Sequence, residues 1–215
     1  MPNWCRNQIV IQSKDKDLIE EIEKDLKGLG GEGLLDYMYP MPHELKDRGV
    51  IGYSYEYKSY SKELRDKYGF DNWYDWALHN WDTKWDVDFD IDYDEPRYWC
   101  DWSRITLEFN SAWGPPMGAL QKFVDRYPKG TFEVAHLQYI ESGMQFCGVY
   151  DALDDTKSMY VNDYVDTFKD YDFNDMKFNA WFSESEFEWL VDELEFELSY
   201  HADNSENQEL SKGGA

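Results

Sequence analysis

The sequence predicts an α+β fold in which one antiparallel sheet carries helices on one face. Segments that alternate apolar and polar residues, as strands do, are separated by segments with apolar residues three or four apart, as in helices. Aromatic residues make up 18% of the 215-residue chain, which supplies large side chains for a core. No run of 18 apolar residues occurs, so no transmembrane helix is expected.

The first 42 residues predict a strand, a helix and an extended piece. Residues 7–12 (NQIVIQ) read as a short apolar strand, and residues 13–27 place their apolar side chains on one helical face. Glycines at 28, 30, 31 and 33 then end the helix. They follow a helix instead of opening one, so a phosphate-binding loop is not indicated. Residues 34–42 contain two prolines and are predicted to be extended.

A polar, tyrosine-rich insertion is predicted at residues 43–70, with a helix at 59–68. The next stretch, residues 73–94, has two periods. In its first half, aromatic and polar residues recur every three to four positions, which predicts a short helix. From Trp85 onward, apolar residues alternate with aspartates, which predicts a strand with one buried face. The other face would carry a row of carboxylates from Asp86, Asp88, Asp90, Asp92 and Asp94.

The remaining elements up to residue 150 complete the predicted sheet. Residues 104–112 alternate as a strand, residues 117–126 form a helix, and two strands follow at 131–140 and 144–150. Without the insertion, the order is that of a split β-α-β, β-α-β sheet of the ferredoxin-like type, with a fifth strand added at the end.

Residues 151–215 differ in composition from the first 150. They carry a net charge of -14, against -10 for residues 1–150. We expect an acidic extension over 151–202, with a helix at about 183–199, and a disordered tail at 203–215. Ser183 and Glu186 stand where a capping box would start that helix. Its outer surface would present Glu184, Glu188, Asp192, Glu193, Glu195 and Glu197.

The charge of the whole chain restricts its partners. With 45 acidic and 21 basic residues, the net charge of -24 repels phosphate backbones and anionic membranes and favours basic partners. Three widely spaced cysteines without a CxxC pair indicate neither a disulfide framework nor a thiolate metal site. A cytoplasmic location with reduced thiols is therefore expected.

Several segments resemble one family. They are residues 1–7 (MPNWCRN), 74–76 (YDW) with 80–86 (NWDTKWD), 112–116 (AWGPP) and 139–148 (YIESGMQFCG). In this order they resemble the Api92-like proteins of phages and plasmids, which carry the YubB ferredoxin-like domain, over roughly residues 1–150. The family has a glycine where this chain has Asp82. The resemblance implies a fold and a mobile-element origin, and it brings no catalytic residues.

Other interpretations of the acidic and aromatic residues remain open. The row on the strand is also typical of a solvated edge that its charge protects from pairing. Aspartates are ligands for Mg²⁺ or Ca²⁺, although the spacing of an EF-hand loop is absent. Exposed aromatics such as Trp99, Trp102, Tyr139 and Phe146 would suit base stacking, which the net charge opposes. Lys84 is expected to pair with Asp82 or Asp86.

The leading hypothesis is a non-catalytic phage or mobile-element protein that inhibits by DNA mimicry. It would bind the basic cleft of a DNA-binding host protein, such as a defence nuclease, a restriction enzyme or a CRISPR complex, in the bacterial cytoplasm. Aromatic side chains near the acids, such as Tyr93, Trp181 and Trp189, would add specificity. No cofactor, metal, membrane or direct nucleic-acid contact is expected. The alternatives are an Asp-lined metal-dependent enzyme, and a nucleic-acid-binding or structural phage protein. The oligomeric state is left open.

Overall fold

A six-stranded antiparallel sheet forms the centre of the protein and confirms the predicted α+β class. The computed structural model describes residues 3–46, 61–94, 101–154, 159–168 and 188–212. The strands lie in the order β2-β3-β1-β4-β5-β6. Their bounds are β1 Trp4–Ser13, β2 Phe89–Asp94, β3 Ser103–Ala112, β4 Val134–Glu141, β5 Phe146–Asp151 and β6 Met159–Asn162.

The central strand β1 determines which face of the sheet each residue takes. It pairs with β3 along its whole length and with β4 over most of it, and it extends beyond the predicted bounds of 7–12 at both ends. Ile9 and Ile11 are fully buried on one face. Arg6, Gln8 and Gln12 point to the opposite face because side chains alternate along a strand.

Eight helices lie among the described residues. They are α1 Lys16–Gly28, α2 Leu34–Met38, α3 His43–Lys46, α4 Lys62–Tyr68, α5 Trp73–Asn80, α6 Met117–Val124, α7 Tyr164–Phe168 and α8 Glu188–Lys212. Helices α1 and α6 cover the face that bears Ile9 and Ile11, and together they bury the main core. The backbone N–H of Leu18 donates to the side chain of Asp15, which caps α1 at its start.

The segment between α1 and α5 differs from the predicted structure at one helix and agrees with it at another. Residues 34–42 were predicted to be extended, which is wrong for the five residues of α2. The predicted insertion contains α3 at its start and α4 near its end, and α4 agrees with the helix predicted at 59–68. Residues 47–60 lie outside the described ranges. Leu45 of α3 is fully buried in the main core, so this part of the insertion belongs to the packed structure.

The sheet continues past residue 150. Strand β6 pairs with β5, and α7 follows it directly. These elements and α8 bury a second core on the face opposite α1. Its members are Ile140, Cys147, Val149, Val161, Tyr164, Phe168, Leu190 and Leu194. The boundary predicted at residue 150 lies within β5, the strand with which β6 pairs.

The last helix, α8, extends beyond the sequence-based boundaries. It was predicted to end at 199, but it continues to Lys212 through most of the segment expected to be disordered. The proposed capping pair Ser183 and Glu186 lies outside the described residues. Within the described ranges, none of the helices combines the length and the apolar character needed to cross a bilayer.

Candidate functional site

The aspartate run of residues 86–94 is divided at the start of β2. Asp90 and Asp92 lie on the strand and are exposed on the face opposite α1, while Ile91 between them packs against the main core. Asp88 precedes the strand and is also exposed. Asp94 ends β2 opposite Arg104 of β3. The predicted alternation is thus present from Asp88 to Asp92.

Asp86 does not belong to this row. Its side chain is half-buried and accepts hydrogen bonds from the backbone N–H groups of Leu35 (2.7 Å), Asp36 (3.1 Å) and Val87 (2.8 Å). Two of these donors are in the first turn of α2, where the amides have no partner within the helix. Burial raises the pKa of Asp86 in spite of these donors. Asp86 therefore holds α2 in place and is not available to a partner.

A cleft of 920 Å³ opens beside the start of β2. Exposed carboxylates of Glu32, Asp88, Asp90 and Glu108 line it. They come from three parts of the chain, namely the loop after α1, the entry to β2, and β3. Asp90 and Glu108 are direct neighbours in the register of the two strands. We call this feature the acidic cleft.

The loop after α1 brings Glu32 to the acidic cleft through a close backbone contact. The N–H of Phe89 donates to the carbonyl of Gly31 at 2.9 Å. Gly31 has a φ of +89°, and a Cβ at this position would lie 3.3 Å from the carbonyl oxygen of Phe89. The left-handed φ strongly favours glycine here, and the close carbonyl oxygen leaves little room for a side chain. The glycine cluster predicted to end a helix therefore also carries one wall of the cleft.

Two of the acids predicted on the surface of α8 are instead used inside the protein. Arg6 of β1 contacts the carboxylates of Glu193 and Glu197, each at 2.5 Å. Only 7% of Glu197 is exposed, and the hydroxyl of Tyr164 also donates to it at 3.4 Å. Burial raises the pKa of Glu193. The prediction that these two side chains face a partner is corrected, because they dock α8 onto the sheet.

The other predicted positions near the end of the chain fall into two groups. Asp192 and Glu195 are exposed on α8, Glu188 is the first residue of the helix, and Glu184 lies outside the described residues. Among the aromatics expected to add specificity, Tyr93 packs against the main core and Trp189 against the second core. Trp181 lies outside the described ranges.

A chain of side-chain hydrogen bonds links α8 to the acidic cleft. The N–H of Leu190 donates to Gln138 at 3.2 Å, Gln138 donates to Gln8 at 3.1 Å, and Gln8 donates to Glu108 at 3.0 Å. Gln138 is fully buried and Gln8 is 8% exposed. Buried amides of this kind must be hydrogen-bonded to be tolerated. This series of hydrogen bonds fixes Glu108 at the wall of the acidic cleft.

Three further observations concern metal-ligand clusters, a buried cysteine and one of the aromatic rings. Within the described ranges, no three or more His, Cys, Asp or Glu side chains form a group that could hold a metal ion. Burial raises the pKa of the Cys147 thiol to about 12, so this cysteine is protonated and a poor nucleophile. Tyr139, one of the rings considered for base stacking, is 3% exposed and belongs to the main core.

Asp86 and Asp88 offer a matched test of the difference between an internal and an exposed aspartate of this run. We expect Asp86→Ala to lower the free energy of unfolding by about 2 kcal/mol, because it leaves buried amides at the start of α2 without an acceptor. Asp88→Ala should change it by less than about 0.5 kcal/mol, since Asp88 is exposed. Urea denaturation of the two variants measures the difference. Equal effects would contradict the assignment of Asp86 to the interior.

Sequence reasoning missed Arg6, Glu32 and Glu108 as parts of this region. The signal for Arg6 and Glu108 was the alternation of polar residues along β1 and β3, which marks a second, polar face of the sheet. No local signal existed for Glu32, because its position depends on a contact with β2. Comparison of the chain with protein-family models, with curated proteins and with solved structures finds no match.

Proposed function

We propose that this chain is a non-catalytic phage or mobile-element protein that inhibits a host defence or DNA-processing protein by DNA mimicry. The acidic cleft and the exposed aspartates of β2 would occupy the partner's basic nucleic-acid-binding surface. Carboxylates are planar and phosphates are tetrahedral, but both present pairs of negatively charged oxygen acceptors that arginine binds with two hydrogen bonds. Excluding the nucleic acid from that surface would inhibit the partner.

The observation that carries this proposal is that the four carboxylates of the acidic cleft have no ion-pair partner among the described residues. None of Glu32, Asp88, Asp90 and Glu108 forms an ion pair with a lysine or arginine of the described residues. Other acids, such as Asp36 and Glu44, do have such partners. Like charges held in one cleft repel each other, so cations from a partner would be attracted strongly to it.

The acidic surface supporting this proposal is more compact than the ridge predicted from the sequence. Asp86, Glu193 and Glu197 have internal partners and do not contribute to it. Carboxylates on one strand face sit about 6.8 Å apart, whereas a duplex carries one charge per about 1.7 Å of its axis. The cleft would therefore replace a short piece of nucleic-acid backbone, and Asp192 and Glu195 of α8 would lie outside the central contact.

The proposal also includes a ferredoxin-like arrangement of the sheet and a relationship to the Api92-like proteins. The order β2-β3-β1-β4, with α1 following β1 and α6 following β3, supports a ferredoxin-like arrangement to which β5 and β6 are added. The net charge of -14 after residue 150 supports an acidic extension beyond it. Asp82 has a φ of +64°, a conformation that favours the glycine of the Api92-like pattern. Its carboxylate accepts from the N–H of Gly118 at the start of α6.

A binding titration tests the proposal. Purified restriction endonuclease and RNA-guided nuclease, each free of DNA, serve as probes on a sensor surface. We expect the affinity for a genuine partner to fall at least tenfold as salt rises from about 50 to 200 mM, because charges supply the attraction. DNA added at saturating concentration should compete. Affinity that is indifferent to salt and to DNA would exclude mimicry.

A charge-matched pair of variants locates the contact. Asp88→Asn, Asp90→Asn and Glu108→Gln together remove three charges from the acidic cleft. Asp17→Asn, Glu21→Gln and Asp25→Asn remove three from the exposed surface of α1. Both change the net charge equally, so long-range attraction weakens alike, but we expect at least tenfold weaker binding from the first set and less than threefold from the second. Equal losses would place the contact elsewhere.

A further inference from the structure

Three aromatic rings surround one lysine next to the acidic cleft. The Nζ of Lys84 lies 4.2 Å from the ring centroid of Trp85, 4.9 Å from that of Trp113 and 5.8 Å from that of Tyr74. An ammonium this close to the face of an indole is attracted by the negative charge of the ring face. We call the three rings the aromatic cage. A fourth ring, Trp4, lies 6.4 Å from Trp85 and lines the acidic cleft.

The rings of the cage are held at the surface by three separate parts of the chain. Tyr74 belongs to α5, Trp85 to the segment between α5 and β2, and Trp113 follows β3. Trp85 and Trp113 are 38% and 41% exposed, and Trp4 is 49% exposed. Large apolar side chains grouped in this way on a surface indicate an interaction site.

The backbone at Trp113 supports this interpretation. Its φ of +77° is a left-handed conformation that a bulky residue adopts at a cost of about 1 kcal/mol. The N–H of Trp113 donates to the carbonyl of Asn3 at 2.9 Å, which holds the turn in place. Tyr74 then stands edge-on to Trp113, with centroids 6.3 Å apart. The turn thus fixes the indole in an exposed position instead of burying it.

Lys84 itself shows which chemical group fits the cage. It was expected to pair with Asp82 or Asp86, but it forms no ion pair with any residue of the described ranges. Asp82 accepts from Gly118 and Asp86 from α2, so both carboxylates have other donors. Although the chain has 45 acidic residues, the contacts that the ammonium of Lys84 makes with charged or aromatic side chains of the described ranges are all with aromatic faces.

We propose that the aromatic cage is a binding site for an alkylammonium group of a partner's lysine side chain, and that Lys84 occupies it when no partner is present. Lys84 also lines a second cleft of 490 Å³, which gives its side chain space to move aside. Trp4 connects the cage to the acidic cleft, so a lysine in the cage would have carboxylates nearby. That the lysine comes from the basic partner described above rests on the proposed function, whereas the cation site does not.

A pair of small molecules of equal shape tests the cage. Choline carries a quaternary ammonium, and 3,3-dimethylbutan-1-ol is its uncharged counterpart. We expect choline to shift the indole N–H resonances of Trp85 and Trp113 in a saturable NMR titration, and the neutral alcohol to bind at least threefold more weakly. Lys84→Ala, which empties the cage, should raise the affinity for choline about threefold or more. Trp85→Leu should lower it at least threefold.

Control variants separate this site from other surfaces. Phe196→Leu changes an aromatic side chain of α8 that is 62% exposed, and it should leave choline binding unchanged. Equal binding of choline and the alcohol, or no binding even to Lys84→Ala, would overturn the proposal. The cleft variant with Asp88→Asn, Asp90→Asn and Glu108→Gln should still bind choline. If this variant loses nuclease binding but retains choline binding, the result agrees with both the cage and the location of the cleft contact.

Two further outcomes distinguish failure of the cage from failure of the proposed function. If the nucleases do not bind but choline does, the cation site stands and the proposed partner is wrong. If salt-dependent nuclease binding occurs while choline fails to bind, the cage proposal is wrong and the function is unaffected. Each outcome is read from a different titration, so neither result depends on the other.

Discussion

Replacing Arg6 by methionine should destabilise the protein by about 3 kcal/mol and release α8 from the sheet. Arg6 is the cation that contacts Glu193 and Glu197, and Glu197 is 7% exposed. Removing one partner of a buried ion pair leaves a charge without compensation, which typically costs 3–5 kcal/mol. Because 30% of the Arg6 side chain is exposed, the lower end of this range is expected.

Hydrogen exchange followed by mass spectrometry measures where the effect lies. Amides of α8 should exchange faster in Arg6→Met, whereas those of α1, on the opposite face of the sheet, should change little. The matched control adds Glu193→Gln and Glu197→Gln to Arg6→Met, which removes both signs of charge. We expect this triple variant to recover most of the lost stability, because no buried charge remains unpaired. A triple variant as unstable as Arg6→Met would show that Arg6 contributes through packing and not through charge.

Stability should also fall as the pH drops from about 6.5 toward 4, and His136 should account for part of this loss. His136 is 5% exposed on the sheet face opposite α1. Burial, and then the positive charge of Arg104, lower its pKa from 6.5 to about 4. The unfolded chain therefore binds a proton on this histidine before the folded protein does. The contribution is fully present above pH 6.5 and is lost as the pH falls to about 4.

The size of this loss of stability follows from the shift in the pKa of His136. A pKa lowered from 6.5 to about 4 corresponds to about 3 kcal/mol across the window, since each unit corresponds to about 1.4 kcal/mol. Urea denaturation at several pH values measures it, with His136→Gln as the comparison. The variant retains a polar side chain but cannot titrate, so the two stability curves should converge as the pH falls. Parallel curves would mean that His136 titrates alike in the folded and unfolded chains.

The register of the sheet gives the neighbours of His136 on the two adjacent strands. Asp151 stands opposite it on β5, and Val10 stands opposite it on β1. The cation that lowers its pKa, Arg104, lies one strand further away, on β3. A positive charge on the histidine would be buried near that arginine. This explains why protonation opposes folding here, although the protein as a whole is strongly acidic.

Much of the sheet could be predicted from the sequence because alternation and helical spacing are local properties. Strand β3, helix α5 and the pair β4 and β5 lie close to their predicted positions. Helix α2 could not be predicted, because its first amides are satisfied by Asp86, about fifty residues away in the chain. Strand β6 was missed because it is only four residues long and depends on β5 for its partner.

The sequence by itself determined the net charge, the apolar period of the main strands and helices, and the alternation that exposes Asp88, Asp90 and Asp92. Only the tertiary structure decided which acids remain at the surface. Whether a carboxylate is available depends on which donors the fold brings to it, and such donors come from distant parts of the chain. Arg6 removes Glu193 and Glu197 from the surface, whereas the contact between Gly31 and β2 adds Glu32 to the acidic cleft.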